Sequence, residues 1–188
     1  MADEGFTELA GPRVVLRRFQ LADAAAFAAY RSDPEVARYQ GWDAPYPLAD
    51  AERFVEWLLP RHPDTPGEWF QFAVAPVAGG PLIGDCAVIP QADDPRQCEI
   101  GFTIAPEYQG RGYATEATRL LAGYLFSERG KHRVSARCDP RNMASAAVLA
   151  RLGMRLEGHL RESTWAKGEW TDDLLYAVLD REWHGGAR

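Results

Sequence analysis

The feature that most constrains this chain is a strand that leads through a glycine turn directly into a helix. Residues 97–104 alternate like a strand, Gly110 and Gly112 lie in the turn, and a helical pattern begins at Tyr113. Glycines at this spacing let the backbone curl, so that several N–H groups converge at the positive end of the helix. Arg111 adds a full charge there, and the turn can therefore bind a diphosphate. A tight connection without any ligand also explains these glycines.

The residues of the turn exclude the two commonest phosphate-binding motifs. The Gly-Lys-Ser/Thr ending of a Walker loop is missing, and the sequence contains no Gly-x-Gly-x-x-Gly fingerprint of a dinucleotide fold. An unrelated nucleotide-binding module is therefore a weak alternative.

Composition and charge limit the classes of protein to which this chain can belong. The chain has 188 residues, 46% of them hydrophobic, and a formal net charge of −6. This length suits one domain, and no apolar run approaches the roughly 18 residues that a membrane span needs. The excess of acidic over basic residues argues against nucleic acid as the partner and is compatible with a cationic acceptor. We expect no membrane association, and the acidic residues 1–5 predict a cytoplasmic protein because they lack the features of an export signal.

The three cysteines, Cys86, Cys98 and Cys138, are predicted to be buried small hydrophobic residues. Their odd number and spacing suit neither a zinc site nor a redox pair, so we expect no metal site and no disulfide.

Hydrophobic periodicity divides the chain into alternating elements. Strands are predicted over 13–18, 68–75, 82–89, 97–104, 133–138, 154–165 and 170–179, and helices over 21–31, 48–59, 113–129 and 143–152. Residues 33–47 are predicted to be an irregular, aromatic segment. The pattern predicts an α/β fold in which one mixed sheet of about six to seven strands is flanked by helices. We assign residues 13–183 to a single domain, 1–12 to an N-terminal tail and 184–188 to a C-terminal tail.

Two segments resemble a known family. Residues 109–114 (Gln-Gly-Arg-Gly-Tyr-Ala) match the Gln/Arg-x-x-Gly-x-Gly/Ala signature of the GNAT acyl-CoA N-acyltransferases, and residues 142–154, from an Asn to Gly-Met, resemble the motif that follows it. Residues 33–39, 99–101, 112–117 and 157–161 are similar to the RimJ/RimL-like branch, which acetylates ribosomal-protein alanines. The resemblance extends from about Arg13 to Trp183.

The resemblance implies acetyl-CoA as cofactor, bound where a largely antiparallel sheet splays between strands 97–104 and 133–138. The pantetheine arm would bond the free backbone of Phe102, Thr103 and Ile104, which leaves the thioester near Glu99. The diphosphate and neighbouring groups would be held by the residues Gln109, Gly110, Arg111, Gly112, Tyr113, Ala114 and Asn142. Arg141 either contacts the cofactor or is a solvated turn residue.

The resemblance also implies direct attack of a neutral amine on the thioester. Glu99 is the first candidate for the general base, with Glu68 and Glu162 as alternatives, although an exposed strand carboxylate is an equally simple interpretation of Glu99. Some RimJ/RimL-like relatives carry a carboxylate where this chain has Thr164. Many GNAT enzymes use a tyrosine as the general acid at the position where this chain has Leu149. Ser145 is therefore the candidate acid, or else a packed helix serine.

The acceptor is predicted to be an amine, with a protein N-terminal α-amine favoured. An α-amine with a pKa near 7.8 needs about 1 kcal/mol to become neutral at pH 7, whereas lysine needs roughly 4 to 5 kcal/mol. A small amine or aminoglycoside-type acceptor stays open, as does a non-catalytic acyl-CoA sensor. The candidate pocket residues are Trp42, Tyr46, Trp69 and Phe70. Either a monomer or a homodimer is compatible with the sequence.

Overall fold

The computed structural model describes residues 6–185, which form one eight-stranded sheet with helices on both faces. The strands are β1 Glu8–Ala10, β2 Val14–Arg17, β3 Phe70–Pro76, β4 Gly84–Pro90, β5 Gln97–Ile104, β6 Arg133–Cys138, β7 Arg155–Ala166 and β8 Glu169–Leu179. The helices are α1 Ala24–Arg31, α2 Pro34–Ala37, α3 Leu48–Leu58, α4 Tyr113–Ser127, α5 Met143–Arg151 and α6 Asp180–Gly185, with 3-10 turns at Leu21–Asp23 and Pro106–Tyr108. Within residues 6–185, no helix combines the length and apolar character that crossing a membrane requires.

The sheet follows the order β1-β2-β3-β4-β5-β6-β8-β7 and is antiparallel except between β5 and β6. These two strands pair only from Gln97 opposite Arg133 to Glu99 opposite Ser135. Beyond Glu99 they separate, and β5 continues to Ile104 without a partner on that side. The predicted α/β fold and the splay between these strands are confirmed.

Several element boundaries differ from the sequence prediction. Residues 8–10, assigned to a tail, form β1 against β2, and the neighbouring Phe6 packs edge-on against Phe72 at 4.8 Å. β1 raises the strand number to eight. The sequence did not predict it, because three residues are too few to show a period of alternating hydrophobicity. At the other end, α6 extends to Gly185 and so enters the predicted C-terminal tail. Residues 1–5 and 186–188 of the predicted tails lie outside the described residues.

The segment 33–47 is partly helical rather than wholly irregular. The carboxylate of Asp33 accepts hydrogen bonds from the N–H groups of Glu35 and Val36, and Pro34 occupies the first helical position of α2. A proline there loses no hydrogen bond because that N–H has no intrahelical acceptor. The Asp-Pro pair therefore begins a helix as well as ending the preceding one.

The two faces of the sheet are covered unequally. One face packs against α4 and α5 and forms the main core, which includes all three cysteines, buried as predicted. On the other face, α1, α2 and α3 form a second cluster that reaches the sheet at Ala73 and Leu82, on and beside β3 and β4. Side chains alternate along each strand, so this second face continues onto β5, β6 and β8 through Glu99, Arg137 and Leu175. Polar groups therefore lie on the second face, beside the splay.

Candidate active site

The turn between β5 and α4 adopts a backbone that favours glycine at two positions. Gly110 has φ 72° and Gly112, the N-cap of α4, has φ 83°. Both values lie in the left-handed region, which costs other residues roughly 1–2 kcal/mol. The side chain of Gln109 anchors the turn, because its Nε2 donates to the carbonyl oxygen of Ile104 at 2.8 Å.

The main-chain amides of this turn are available to a ligand. In the described part of the chain, the N–H groups of residues 110–115 donate to no protein acceptor, whereas the next one, Glu116 N–H, donates to Gly112 O at 3.1 Å. They lie at the N-terminal end of the fifteen-residue helix α4, whose dipole attracts negative charge. The arrangement is that of an anion site built from backbone groups.

Glu116, in the first turn of α4, ties this site to β2. Its carboxylate accepts hydrogen bonds from Arg13 N (2.7 Å), Val14 N (3.1 Å) and Arg13 Nε (2.7 Å). Burial acts to raise the pKa of Glu116, but these hydrogen bonds outweigh it and the pKa is lowered. Arg13 also donates from Nη1 to Arg111 O at 2.9 Å. The sequence analysis did not single out this pair, although an acidic residue in a helix's first turn is a recognisable signal.

A cavity of about 1480 Å³ extends from the turn along the end of β5 to α5. It is lined by ten of the predicted site residues: Phe102, Thr103, Ile104, Gln109, Gly110, Gly112, Tyr113, Ala114, Asn142 and Ser145. Arg111 is not part of the lining, and its guanidinium carbon lies 6.0 Å from the Tyr108 ring. Residues up to 43 positions apart in sequence, Phe102 and Ser145, thus line one cavity.

The splay exposes main-chain groups of β5 to this cavity. The ladder with β4 uses odd-numbered residues, since Ala105 N–H donates to Ile83 O at 2.9 Å and Gln97 O accepts from Gln91 N–H at 2.9 Å. The polar groups of residues 102 and 104 therefore point toward β6, which no longer pairs there. Ile104 O is taken by Gln109. The N–H and C=O of Phe102 and the N–H of Ile104 face the gap. The prediction of a free backbone is wrong for Thr103, whose N–H and C=O belong to the ladder with β4.

The start of α5 presents two predicted residues. The side-chain oxygen of Asn142 caps α5 by accepting from Ser145 N–H at 3.1 Å, which leaves its NH₂ group directed elsewhere. The hydroxyl of Ser145 has no protein partner in the described part of the chain. Leu149 is buried in the main core. Arg141 forms ion pairs with Asp139 (2.7 Å) and Glu169 (2.9 Å), so its guanidinium is occupied by carboxylates.

Glu99 lies where β5 and β6 part, on the second face of the sheet. It is half-buried and faces Arg137, with Oε2 3.4 Å from Arg137 Nε. Burial raises the pKa of Glu99, the charge of Arg137 opposes this, and the charge of Asp173 adds to it. A carboxylate with a raised pKa is better suited to accept a proton near neutral pH.

The two alternative bases are placed less favourably. Glu68 forms an ion pair with Arg61, whose guanidinium carbon lies 3.5 Å from the centre of the Trp57 ring. Glu162 is an exposed residue in the irregular part of β7, with φ 47° and its own N–H bonded to Asp172.

The four predicted pocket aromatics do not form one pocket. Trp42 and Tyr46 surround the buried guanidinium of Arg31, whose central carbon lies 3.8 Å and 5.3 Å from their ring centres. Phe70 is 2% exposed and packs in the main core, so it is not available to a substrate, whereas Trp69 is 40% exposed. Aromatic residues read from sequence are ambiguous in this way because packing and binding use the same side chains.

The tip of the β7–β8 hairpin contacts the loop that carries Trp42. Lys167 Nζ donates to Trp42 O at 2.6 Å and pairs with Asp43 at 3.2 Å. This contact joins the hairpin to the loop at one edge of the second face.

Comparisons with known proteins agree with this geometry. The family model described as "Acetyltransferase (GNAT) domain" matches residues 13–155. An uncharacterized N-acetyltransferase YnaD of Bacillus subtilis is 32% identical over 172 residues, which is 92% of this chain and 96% of that protein. A GNAT-family acetyltransferase from Bacillus anthracis superposes with a TM-score of 0.84 at 28% identity, covering 94% of this chain and 100% of the other.

A more distant relative has a named acceptor. The [ribosomal protein uS5]-alanine N-acetyltransferase of Escherichia coli is 33% identical over 89 residues, 47% of this chain and 46% of that protein.

Proposed function

The chain belongs to the GNAT acetyltransferase family, and on that premise we propose that it transfers the acetyl group of acetyl-CoA to a primary amine, with a protein N-terminal α-amine as the favoured acceptor. The observation that carries the proposal is the set of unpaired N–H groups at residues 110–115, all of which except Arg111 line the cavity at the start of α4. This is the donor set that a diphosphate requires.

The residues of the cavity fit acetyl-CoA along its length. The turn from Gln109 to Ala114 would hold the diphosphate. The free N–H and C=O of Phe102 would bond the amide-rich arm as an added strand. The arm would then end at the splay, beside Glu99.

The chemistry assigns one task to each group at the splay. Acetyl-CoA supplies an acetyl thioester whose C–S bond breaks as the C–N bond to the amine forms. Glu99 accepts the proton that the amine loses, and a free N–H of β5 stabilises the negative charge on the thioester oxygen. The overall balance is an ammonium and a thioester giving an amide, a free thiol and one proton.

Protonation of the thiolate requires little from the protein. For a thiol with a pKa near 8.5, protonation of the thiolate at pH 7 is favourable by about 2 kcal/mol. An acid in the site is therefore helpful rather than essential. Ser145 is the candidate, because its hydroxyl lines the cavity and Leu149 has no acidic proton. A site with so few acid and base groups favours acceptor amines that are easily deprotonated.

The preference for an α-amine has two supports. An α-amine needs about 1 kcal/mol to become neutral at pH 7 and a lysine roughly 4 to 5 kcal/mol. The E. coli relative is named as an N-acetyltransferase of an alanine of ribosomal protein uS5. A small-molecule amine is the second candidate acceptor.

The proposal is tested by titrating the protein with acetyl-CoA in a calorimeter and then measuring free thiol release with a panel of amines. The panel consists of octapeptides that begin with Ala, Ser, Thr or Met, a polyamine and an aminoglycoside. We expect micromolar binding and thiol release with at least one peptide. Binding without turnover on any amine would indicate an acyl-CoA sensor, and absence of binding would contradict the assignment of the cavity.

A further inference from the structure

The β7–β8 hairpin carries large apolar side chains that are left open to solvent. β7 is an edge strand of twelve residues, and none of them is buried. Its Leu156 is 54% exposed and its Trp165 60%, and Trp170 of β8 is 57% exposed. The two indole rings contact each other edge to face, with their centres 5.4 Å apart.

These three side chains lie on one face of the sheet, the face that carries the main core. Tyr176 of β8 belongs to the main core and Leu174 packs against it, so the alternation of the strand directs Trp170 to the same face. Trp165 is paired with Trp170 across the ladder. Leu156 is paired with Tyr176. Because paired residues share a face, the exposed side chains form a patch and are not scattered single residues.

A polar pair divides this patch into two apolar ends. His159 Nε2 lies 2.6 Å from Asp172 Oδ2, and His159 is paired with Leu174 on the same face. Six residues of extended strand separate Trp170 from Tyr176, the partner of Leu156, which corresponds to about 20 Å. We call this surface the hairpin strip; it consists of Leu156, His159, Trp165, Trp170 and Asp172.

The free edge of β7 is poorly suited to pairing with a strand of another chain. Its register against β8 is irregular between Leu156 and Gly158 and again between Leu160 and Thr164. Bulges of this kind interrupt the row of main-chain groups along an edge and so prevent continuous pairing. The side chains of the hairpin strip, and not the edge itself, are therefore the contact surface.

The area of the hairpin strip matches one half of a stable dimer interface. An aromatic side chain buries roughly 150–250 Å², so two tryptophans that are more than half exposed present about 200–300 Å² of apolar surface. A standard interface buries about 800 Å² on each partner, of which roughly 450–520 Å² is apolar. With Leu156 added, the hairpin strip supplies more than half of that apolar area.

We propose that two copies of this chain associate through the hairpin strip as a two-fold symmetric dimer. A two-fold axis at the His159–Asp172 pair runs the two strips antiparallel, so Trp165 and Trp170 pack on Leu156 of the partner subunit. The same axis places His159 opposite Asp172 of the partner subunit. Apolar ends thus meet apolar ends and polar centres meet, and this self-complementary order favours a second copy over an unrelated protein. The dimer is independent of the acetyl transfer proposed above.

The first test is sedimentation equilibrium of the full chain. We expect a species of twice the 20.9 kDa of one chain. In the double variant Trp165→Ser/Trp170→Ser, the dissociation constant of the dimer should rise at least 100-fold. Trp69→Ser is the matched control, because Trp69 is 40% exposed but lies outside the hairpin strip, and its dissociation constant should stay within threefold of wild type.

Two further variants test the antiparallel arrangement and do not depend on the folding of the double variant. Leu156→Arg, at the other end of the strip, should weaken the dimer at least tenfold. His159→Cys places a thiol near the axis, where a short bismaleimide should join the two protomers. The native cysteines are buried and should not react. Val77→Cys, at a residue that is 50% exposed outside the hairpin, should give no cross-linked dimer.

Each result decides the proposal. A wild-type chain that stays monomeric at high micromolar concentration would overturn it, even if the tryptophan variant bound a protein acceptor less well. A dimer that persists in both the double variant and Leu156→Arg would also overturn it. Thiol release with the amine panel tests the transfer reaction separately, so failure of one proposal leaves the other standing.

Discussion

The two sides of the splay are built in different ways. On the side of α4, the anion site consists of consecutive residues, 110–115, and its donors are main-chain N–H groups. On the opposite face, the polar groups are side chains of β5, β6, β7 and β8 that are up to 74 positions apart, from Glu99 to Asp173. A backbone site depends on conformation and so on its glycines, whereas a side-chain site depends on how the strands are ordered. Mutations should therefore affect the two sides independently.

The strongest expected effect is at Gly112, on the cofactor side. In Gly112→Asp, a residue with φ 83° acquires a side chain whose Cβ would lie 3.3 Å from Arg13 Nη2, and a negative charge enters the anion site. The strain costs roughly 1–2 kcal/mol and the charge repels a diphosphate, so calorimetry should detect no acetyl-CoA binding.

Gly130→Asp is the control for this change. It has φ 61°, open space around it, and a position just beyond the opposite end of α4. It should destabilise the protein to a similar degree but bind acetyl-CoA within threefold of wild type. Equal loss of binding in both variants would show that the effect arises from folding and not from the anion site.

The next effect is at Glu99, on the acceptor side. Glu99→Gln removes the proposed base, so kcat should fall about 100-fold or more while the Kd for acetyl-CoA is unchanged. Burial raises the pKa of Glu99, and the base must be deprotonated to act. In the wild-type protein, kcat should therefore rise with pH, and the midpoint of this rise should lie above the ordinary pKa of glutamate. This rising limb of the pH profile should be absent in the variant. A pH profile with the same limb in both proteins would exclude Glu99.

The smallest effect concerns Glu116, which links the anion site to β2. Glu116→Gln replaces charge-assisted hydrogen bonds with neutral ones and should lower the free energy of unfolding by about 1–2 kcal/mol in urea.

The pH dependence of this loss has a definite sign. The pKa of Glu116 is lowered in the folded protein, so its stabilisation is fully present above the pKa of an unfolded glutamate, near 4.3, and is lost as the pH falls through the lowered folded value. The difference between wild type and variant should accordingly vanish in acid. A difference independent of pH would mean that the charge of Glu116 contributes nothing.

The sequence by itself determined most of the helices and strands, and also the anion site, because that site is built from consecutive residues. Residues 97–104 and 133–138 form strands with the predicted bounds, and the glycines at 110 and 112 occupy left-handed positions at the start of α4. Periodicity and glycine conformation are properties of neighbouring residues, which is why a single sequence reveals them. The same locality explains why the family signature was recognisable there.

Only the tertiary structure decided which distant side chains meet. It placed Phe70 in the core, directed Trp42 and Tyr46 toward Arg31, added β1 to the sheet and brought Asp173 to the face of Glu99. The position of Asp173 depends on strand order and on the β7 irregularity, which shifts the register of the β7–β8 hairpin. A one-residue shift moves a side chain to the opposite face, and nothing in the local pattern of a short strand fixes that shift.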